Sequence, residues 1–492
     1  MGEVNLPEGW AQTVISDIAD VNPKKIEAEA EALSGFVPMS HAPTDFNGTL
    51  SFEEKPWGEI KKSYTNFQDH DVIVAKVTPC FENGKAAIVR GLPNGIGAGS
   101  SEFYVLRPAI KEVSTRFLFS IVKSYKFLQE GAANMTGAVG LRRVPRAFVE
   151  TFPIALPPLA EQKVIANKLD TLLAQVETTK ARLDRIQQIL KTFRQSVLAA
   201  AVSGKLTEEW RGGETLDAKA DLEKELLFKD DKKRKIEATS SHELVVDNFS
   251  HAWAETKFDE LYRFIDYRGK TPNKSESGKR LYTAKNIKMG YLSNEPIEYL
   301  SEKDYKSWMT RGFSKVNDIF FVTEGHTMGC VALNDIGSDI ALAQRTLTLQ
   351  PYGDVCTKFH YYFMLSHSFQ KLVDLNATGT AAKGIKASKF RGLPLPFPTY
   401  KEQTEIVRRV EELFAFADRI GQKANAGLER VNNLTQSILA KAFRGELTSD
   451  WRANNPELIS GDNSAEALLK KIKAERAIKG SGNKLKVKRT KR

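Results

Sequence analysis

One long internal repeat constrains the fold of this chain more than any other feature. The pair Glu161-Gln162 returns as Glu402-Gln403, a step of 241 residues. The same step relates Pro153 to Pro394, Pro157 to Pro398, Leu172 to Leu413, Gln195 to Gln436, Gly204 to Gly445, and Trp210 to Trp451. Because the period is close to half of the 492 residues, it indicates two copies of one large unit and not a solenoid. Two such copies imitate a twofold dimer and suit a ligand with two unequal halves.

The residues before each near-identical segment repeat more weakly. Trp10 corresponds to Trp253, and Arg107-Pro108 to Gln350-Pro351, with a step of 243 residues. Asp71 corresponds to Asp318 with a step of 247 residues, so small insertions separate the copies. Each copy therefore joins a variable part to an almost constant part.

Composition excludes several classes of protein. No apolar run is long enough to cross a bilayer, and the polar start of the chain lacks the apolar core of a signal peptide. Cys80, Cys330 and Cys356 are too far apart to indicate a zinc site or a disulfide framework. We therefore expect a cytoplasmic chain without a metal.

The net charge of +11 comes mostly from one end of the chain. Residues 470–492 contain eleven Lys and Arg against the single acidic residue Glu475, so the other residues are nearly neutral in sum. This tail either grips phosphates or an acidic partner, or is a disordered end that aids solubility.

The variable parts have the pattern of mixed α/β domains. Apolar runs predict strands at 72–75, 86–89, 103–106, 319–322 and 346–349. Amphipathic spacing predicts one helix over 116–128 and one over 358–373. Charged, helical stretches are expected at 216–238 and 464–478.

The near-identical parts predict one long helix each, with apolar residues in heptad spacing. The first seam consists of Ile165, Leu169, Leu172, Val176, Leu183, Ile186, Leu190, Phe193 and Val197; the second consists of Ile406, Val410, Leu413, Ala417, Ala424, Gly427, Val431, Leu434 and Ile438. A helix with one apolar stripe needs a partner, and the antiparallel twin in the same chain is the expected one. The alternative is that each helix packs on its own domain or on another protein.

The predicted fold class is therefore α/β (α+β), with two tandem domains separated by two long helices in an antiparallel, pseudo-twofold coiled coil. The expected boundaries are 1–155 for the first domain, 156–211 for the first helical spacer, 212–250 for a charged linker, 251–396 for the second domain, 397–452 for the second spacer, and 453–492 for a C-terminal helix and basic tail.

Several motifs resemble one known family. They are the opening 6–10 (LPEGW), Pro157-Pro-Leu-Ala-Glu-Gln162, Lys401-Glu-Gln403, Gly204-Lys-Leu-Thr207 and Arg444-Gly-Glu-Leu-Thr448, and the segment 431–444. Together they resemble the specificity (S) subunit of type I restriction-modification systems, in particular the enterobacterial K and B branch. The likeness extends over essentially the whole chain and is weakest in the variable domains.

The resemblance implies a non-catalytic DNA reader. Each variable part would be a target recognition domain for one half of a bipartite site in double-stranded DNA. The helices would set the half-site distance and dock two adenine methyltransferase (M) subunits, and restriction and translocase (R) subunits would join them. No cofactor is expected on this chain, while S-adenosylmethionine, ATP and Mg are implied on the partners.

Candidate DNA-binding residues lie in two Gly-rich loops and the strand turns beside them, because Arg and Lys read guanine or phosphate and Asn and Gln read adenine. In the first domain they are Lys76, Lys85, Asn134, Thr136, Arg142, Arg143 and Arg146. In the second domain they are Arg268, Lys270, His326, Gln344, Arg345, Thr378, Lys383, Lys386 and Lys389. The alternative is that these are solvated turns.

Six repeated residues outside the helical seam are candidates for partner binding: Leu206, Thr207, Trp210, Leu447, Thr448 and Trp451. Packing at a helix end is their alternative role. The chain has no Walker A pattern and no Asn-Pro-Pro-Tyr/Phe motif, which argues against an enzyme. Two rivals remain: a coiled-coil scaffold whose variable domains bind protein, and an enzyme with an unrecognised site.

Overall fold

The computed structural model forms two compact units, and each unit combines residues from both copies of the repeat. The first unit comprises Met1–Asp184 and Asn425–Arg492, and the second comprises Arg185–Ala424. The structure describes residues 6–138, 140–212, 216–230, 232–240, 249–267, 271–379 and 383–489, with side chains up to 478. No helix in this described part of the chain combines the length and apolar character needed to cross a membrane.

The first unit contains two four-stranded sheets with orders β2-β9-β6-β7 and β4-β3-β8-β5, and a β1-β10 pair. Its strands are β1 (Ala11–Val14), β2 (Ala19–Val21), β3 (Leu33–Val37), β4 (Glu53–Pro56), β5 (Thr65–Gln68), β6 (Val72–Ala75), β7 (Ala86–Ile88), β8 (Ile96–Gly99), β9 (Phe103–Pro108) and β10 (Pro153–Leu156). All pairs are antiparallel except β3 with β8. Its helices are α1 (Ile15–Ile18), α2 (Trp57–Ile60), α3 (Thr115–Val122), α4 (Tyr125–Ala133), α5 (Arg146–Thr151) and the beginning of α6 (Leu159–Val202).

The second unit repeats this order with the sheet β12-β20-β17-β18, a three-stranded sheet β16-β13-β19, and the pairs β14-β15 and β11-β21. Its strands are β11 (Ala254–Lys257), β12 (Tyr262–Asp266), β13 (Lys279–Tyr282), β14 (Ile287–Lys288), β15 (Tyr291–Leu292), β16 (Tyr299–Leu300), β17 (Ile319–Val322), β18 (Val331–Leu333), β19 (Ile340–Leu342), β20 (Thr346–Pro351) and β21 (Pro394–Phe397). Its helices are α7 (Ala218–Leu226), α8 (Phe258–Leu261), α9 (Glu302–Trp308), α10 (Thr357–Leu365), α11 (His367–Asn376), α12 (Ala387–Arg391) and the beginning of α13 (Tyr400–Phe443).

A short helix and a longer one follow α13 in the chain, and single 3-10 turns connect several elements. The helices are α14 (Ser449–Ala453) and α15 (Ala465–Arg489). The 3-10 turns are Met39–His41, Pro93–Gly95, Lys205–Thr207, Glu446–Thr448, Pro456–Leu458 and Gly461–Asn463. Helix α15 buries Ala465, Leu468 and Ile472 in the core of the first unit.

The predicted strands are confirmed, because their continuous apolar runs are the buried centres of the two equivalent sheets. All four residues of β6 and all four of β17 are buried. The helix predictions over 116–128 and 358–373 are wrong in one respect, since each is two helices. Ser124 and Ser366 start the second helix of each pair by accepting a backbone hydrogen bond from Phe127 and Phe369, both at 3.3 Å.

The charged stretch 216–238 was also expected to be helical, and this is wrong beyond Leu226. Helix α7 ends there, and the described residues from 232 to 239 form no helix or strand. The stretch at 464–478 is helical as expected, as part of α15.

The long helices α6 and α13 have 44 residues each, as the repeat predicts. In the first unit, Nζ of Lys168 donates to the carbonyl of Leu447 at 2.9 Å, while Leu183 lies beside Gly427. In the second unit, Arg194 pairs with Asp418 at 2.6 Å, and Leu190 lies beside Gly421. Within each unit the two helix segments therefore run antiparallel.

The seam is mostly confirmed, with local shifts. Leu173 is 1 % exposed, whereas its neighbour Leu172 is only half-buried. Leu434 is 45 % exposed, and Leu439 is buried whereas its neighbour Ile438 is only half-buried. A straight helix drifts relative to a heptad repeat, so the buried face moves by one residue over such lengths. Gly204 and Gly445 end the helices in the left-handed conformation, with φ of 79° and 72°.

Candidate DNA-reading loops and helix junctions

The Gly-rich loop of the first unit is a tight hairpin. The backbone N–H of Thr136 donates to the carbonyl of Arg143 at 3.0 Å, and that of Arg143 returns a bond of 2.8 Å. The N–H of Val144 donates to the carbonyl of Lys76 at 2.9 Å, which fixes the hairpin beside the turn after β6. Gly137 has φ of 121°, where a Cβ would meet the carbonyl of Leu141 at 2.9 Å. The fold thus brings Lys76, Thr136 and Arg143 together.

The arginines of this hairpin are paired with acids but remain about half exposed. Arg143 donates twice to Glu102, at 2.8 and 2.9 Å, and this hydrogen bonding lowers the pKa of the Glu102 carboxyl. Arg142 lies 3.3 Å from Glu82, and Arg146 lies 2.8 Å from Glu150. Exposed ion pairs contribute only about 0–1 kcal/mol, so a phosphate or a base can compete for these guanidinium groups.

The other first-unit candidates are less directly placed. Asn134 is exposed and its side chain donates to the carbonyl of Glu130 at 2.8 Å. Nζ of Lys85 donates to the carbonyl of Met39 at 2.9 Å, so this lysine is committed to the fold. Nζ of Lys76 lies 5.3 Å from the centre of the Tyr104 ring, a cation–π distance.

The second unit builds its loop in the same way. Thr378 and Gly384 exchange backbone hydrogen bonds of 2.8 and 2.9 Å, and the N–H of Gly325 donates to the carbonyl of Lys383 at 3.0 Å. The loop is thereby fixed beside the turn after β17, where His326 is exposed. The fold brings His326, Thr378 and Lys383 together, as it does their counterparts in the first unit.

The remaining second-unit candidates differ in their surroundings. Lys383 pairs with Asp374 at 2.6 Å, and Lys386 lies 3.7 Å from Glu237. Gln344 donates to the hydroxyl of Thr271 at 3.0 Å, and Lys389 is half-buried on α12. The candidates outside the described residues are Arg268 and Lys270.

The two loop surfaces differ at one equivalent position. Glu102 of the first unit and Arg345 of the second are related by a step of 243 residues. The backbone carbonyl of Glu102 accepts a hydrogen bond from the N–H of Lys76, and that of Arg345 accepts one from the N–H of Thr323, both at 2.9 Å. Glu102 holds Arg143, whereas Arg345 pairs with Glu324 at 3.1 Å and has φ of 75°. One scaffold therefore presents different charges in its two copies.

The start of each long helix forms a buried junction that sequence reasoning did not assign. Glu161 is fully buried and accepts hydrogen bonds from Nε1 of Trp10 at 2.8 Å, from the hydroxyl of Thr448 at 2.6 Å, and from Arg452. Its neighbour Gln162 accepts from the backbone N–H of Ser114 at 3.3 Å. The recurrence of Glu-Gln and of Thr-x-x-x-Arg at one step was the available signal, but it did not show that the two motifs meet.

The second unit contains the equivalent junction. Glu402 is 1 % exposed and accepts from the hydroxyl of Thr207 at 2.7 Å and from Arg211. Gln403 accepts from the N–H of Cys356 at 3.2 Å. Nε1 of Trp253, the counterpart of Trp10, is buried and has no hydrogen-bond partner in the described part of the chain.

These junctions give positions to the six candidate partner-binding residues. Thr207 and Thr448 are fully buried and serve the junctions. Leu206 and Leu447 are partly buried against the cores of the second and first units. Trp210 and Trp451 are partly exposed as well, so the two leucines and the two tryptophans are the members of the set with surface to offer a partner.

Within the described residues, no group of three or more His, Cys, Asp and Glu is arranged to hold a metal ion. His360 is fully buried between the hydroxyl of Tyr262, at 2.7 Å, and the carbonyl of Pro396, at 3.2 Å. Burial lowers the pKa of His360 to about 3, so it is a neutral core residue.

Comparison with known sequences defines the class. A family model described as the type I restriction modification DNA specificity domain matches residues 7–188 and 251–430. The two matches correspond to the two copies of the repeat. The chain belongs to this family of specificity subunits, which confirms the resemblance drawn from its motifs.

Individual relatives match this chain over most or nearly all of its length. The specificity subunit of the type I restriction enzyme EcoKI from Escherichia coli (strain K12) is 34 % identical, with 98 % of each chain covered. That of StySPI from Salmonella potsdam is also 34 % identical, with 98 % of each chain covered. That of EcoBI from Escherichia coli is 39 % identical over 74 % of this chain and 72 % of its own.

Solved structures support the fold. The HsdS subunit from Thermoanaerobacter tengcongensis aligns with a TM-score of 0.58 at 17 % identity, covering 90 % of this chain and 99 % of its own. A chain from a structure of type I R-M complex assembly and conformational transition aligns with a TM-score of 0.64 at 16 % identity, with the same coverage. The expected fold, two mixed α/β domains with a pair of long helices, is confirmed.

Proposed function

We propose that this chain is the DNA-reading subunit of a type I restriction-modification complex and that each unit reads one half of a bipartite site. The observation that carries the proposal is the pair of hairpins, which are fixed by equivalent backbone bonds but have different ion pairs in or beside them, Arg143 with Glu102 in one unit and Arg345 with Glu324 in the other. A constant scaffold with different side chains is what two unequal half-sites require.

The guanidinium and ammonium groups of the candidate residues would divide between two tasks. Arg142, Arg143 and Lys383 project from the hairpins and are the candidates for base edges in the major groove. Lys76, Arg146, Lys386 and Lys389 lie around them and are the candidates for phosphates. The Arg143 side chain is 42 % exposed, so DNA can reach its guanidinium, and contacts with a base or phosphate would replace its two hydrogen bonds to Glu102.

The long helices would set the distance between half-sites, and the constant segments would dock the partners. The relatives are named as specificity subunits of restriction enzymes, so methylation and cleavage belong to other subunits of such enzymes. We assign two adenine methyltransferase subunits to the repeated junction segments, with Trp210 and Trp451 at their surface, and restriction subunits to the assembled complex. Because the proposed ligand is DNA, we place the subunit in the cytoplasm. The comparisons favour neither rival, the protein-binding scaffold or the unrecognised enzyme.

Selection from a random duplex library by the purified chain with its cognate methyltransferase subunit tests the proposal. We expect recovery of a split motif with unread bases between two defined halves. Recovery of one continuous motif would contradict the two-reader account. Recovery of no enriched sequence would favour a scaffold that binds protein.

A further inference from the structure

The charged linker between the two repeats lies along the second unit as an anchored strap. We define the strap as residues 229–230 and 232–240. Lys229 lies 3.4 Å from Asp259, and Arg234 stacks over the ring of Tyr352 at 5.8 Å. The strap continues to α12, where the N–H of Glu237 donates to the carbonyl of Ser388 at 3.0 Å.

The far end of the strap is held by Asn376, the last residue of α11. Its side-chain oxygen accepts from the backbone N–H of Ser240 at 2.8 Å, and its amide donates to the carbonyl of Ser240 at 3.1 Å. Asn376 is fully buried, whereas its counterpart in the first unit, Asn134, is exposed. The second copy therefore uses this repeated asparagine to fix the linker.

A glycine makes room for the strap. A Cβ at Gly392 would lie 2.9 Å from Cγ2 of Ile236 and 3.1 Å from the carbonyl of Glu237. The equivalent residue of the first copy, one step of 241 residues earlier, is Thr151, which is exposed. A side chain at this position would therefore crowd the strap, and only the second copy has a glycine there.

The strap also carries exposed cations. Lys232, Lys233 and Lys235 are exposed, and the ammonium groups of Lys232 and Lys233 form no ion pair or hydrogen bond with residues that the structure describes. Lys235 and Lys386 lie on either side of the Glu237 carboxylate, at 3.4 and 3.7 Å. Through this shared carboxylate, Lys235 of the strap adjoins Lys386, one of the candidate DNA-binding residues described above.

A flexible charged linker would need none of these anchors, because fixing a backbone costs conformational entropy. Here the buried Asn376, the close approach at Gly392 and several polar contacts fix the backbone that carries the lysines. Clustered like charges repel one another, and the Glu237 carboxylate offsets this repulsion directly only for Lys235 and Lys386. An arrangement that keeps them together beside a candidate DNA surface is suited to a polyanion.

We propose that Lys232, Lys233 and Lys235 bind backbone phosphates of the DNA read by the second unit, as a part of the reading surface supplied by the linker. This rests on the proposed function above. Phosphate contacts carry no sequence information, so the strap would add affinity and orientation to a half-site that the loop 377–386 specifies.

The test measures DNA affinity against salt concentration for the chain in complex with its methyltransferase partner. The probe is a fluorescent duplex with the split motif obtained by library selection. In the variant K232Q/K233Q/K235Q, the slope of log K against log salt should fall by about 2–3, since each lost phosphate contact changes it by about 0.9. The affinity at low salt should fall by about tenfold or more, and the preferred bases should stay the same.

Two variants serve as controls. K219Q/K303Q/K306Q removes the same charge from exposed lysines elsewhere in the second unit, and its slope should stay closer to that of the parent. I236S removes a partly exposed anchor and keeps every lysine, so it should weaken binding less than the triple strap variant but in the same direction.

The outcomes separate the two proposals. If the parent complex enriches no sequence and binds no duplex, both proposals fail. If the parent binds its split motif and the strap variant has the same slope and affinity, the strap proposal alone is wrong. A strap variant that binds DNA normally but no longer assembles with the methyltransferase would also overturn it, in favour of a protein contact.

Discussion

The hydroxyl of Thr448 donates a 2.6 Å hydrogen bond to the carboxylate of Glu161, which is 287 residues away in sequence. Thr207 and Glu402 repeat the contact at 2.7 Å. In each junction the glutamate begins the long helix of one repeat and the threonine follows the long helix of the other. Neither repeat can complete its own junction, so the unit of folding is not the unit of sequence duplication.

Loss of either junction carboxylate should destabilise its unit, and the first more than the second. Removing one partner of a buried ion pair lowers the free energy of unfolding by about 3–5 kcal/mol. We expect a loss within this range for Glu161→Ala and a loss near its lower end for Glu402→Ala. The difference, about 1 kcal/mol, reflects the hydrogen bond from Trp10, which Trp253 does not make. Urea unfolding measures it, with the exposed Glu208→Ala as the control. Equal losses in both variants would show that the Trp10 bond contributes nothing.

The stability of the second unit should depend on pH through Asp318. In the first unit Arg107 makes two 2.8 Å hydrogen bonds to Asp71. Gln350 replaces this arginine beside Asp318, donating at 2.9 Å, and burial raises the pKa of Asp318 to about 6 despite nearby Lys315. A carboxyl whose pKa is raised by folding stabilises most when protonated, so its contribution is lost as pH rises from about 4 through 6.

Gln350→Arg should remove the loss of stability that the parent protein shows as pH rises. The stability of the variant minus that of the parent should increase between about pH 4 and neutral pH, by up to about 3 kcal/mol, because two pKa units correspond to that energy. Denaturant unfolding across this pH range measures it, and Asp318→Asn should abolish the same dependence. A difference that does not vary with pH would mean that Asp318 does not titrate in this range.

The repeat and the periodicity of the sequence predicted the strands, the helix lengths and the Gly caps, because these depend on local residue patterns. The serine caps at Ser124 and Ser366 were missed, since one apolar face continues through both helices of each pair. The strap was taken for helix because its charged residues have good helix propensity. Its course depends on Asn376 and Gly392, which are more than 130 residues away, and no local pattern reports such contacts.

The candidate site was predicted as a set of loops rather than as a set of contacts. The sequence placed Thr136 and Arg143 in one loop, but it did not show that Arg143 donates hydrogen bonds to Glu102. It assigned Thr207 and Thr448 to partners, whereas both hydroxyls are used inside the protein. Which residues touch DNA stays a prediction.

Single substitutions in the hairpins should act on one half-site each. Arg143→Ala should relax the bases read by the first unit and leave the other half unchanged, and Lys383→Ala should do the reverse. A lost base contact costs about 1–3 kcal/mol in discrimination. Sequencing of methylated sites in cells expressing each variant with the methyltransferase measures this. A change in both halves from either variant would contradict independent reading.

Helix length should set the number of unread bases. A seven-residue insertion in both α6 and α13 adds about 10 Å of helix rise, which corresponds to about three base pairs. We expect methylation to move to sites with a longer spacer and unchanged halves. A matched seven-residue insertion in α6 alone should break the pairing and abolish methylation. An unchanged spacer in the double insertion would show that the helices do not measure the distance.

The most direct test of the account is single-molecule sequencing of adenine methylation in cells that express this chain with its cognate methyltransferase subunit. The account predicts a split motif whose two halves are separated by a fixed number of unread bases, absent from cells without this chain. Methylation that is the same with and without the chain, in the presence of that cognate subunit, would contradict it.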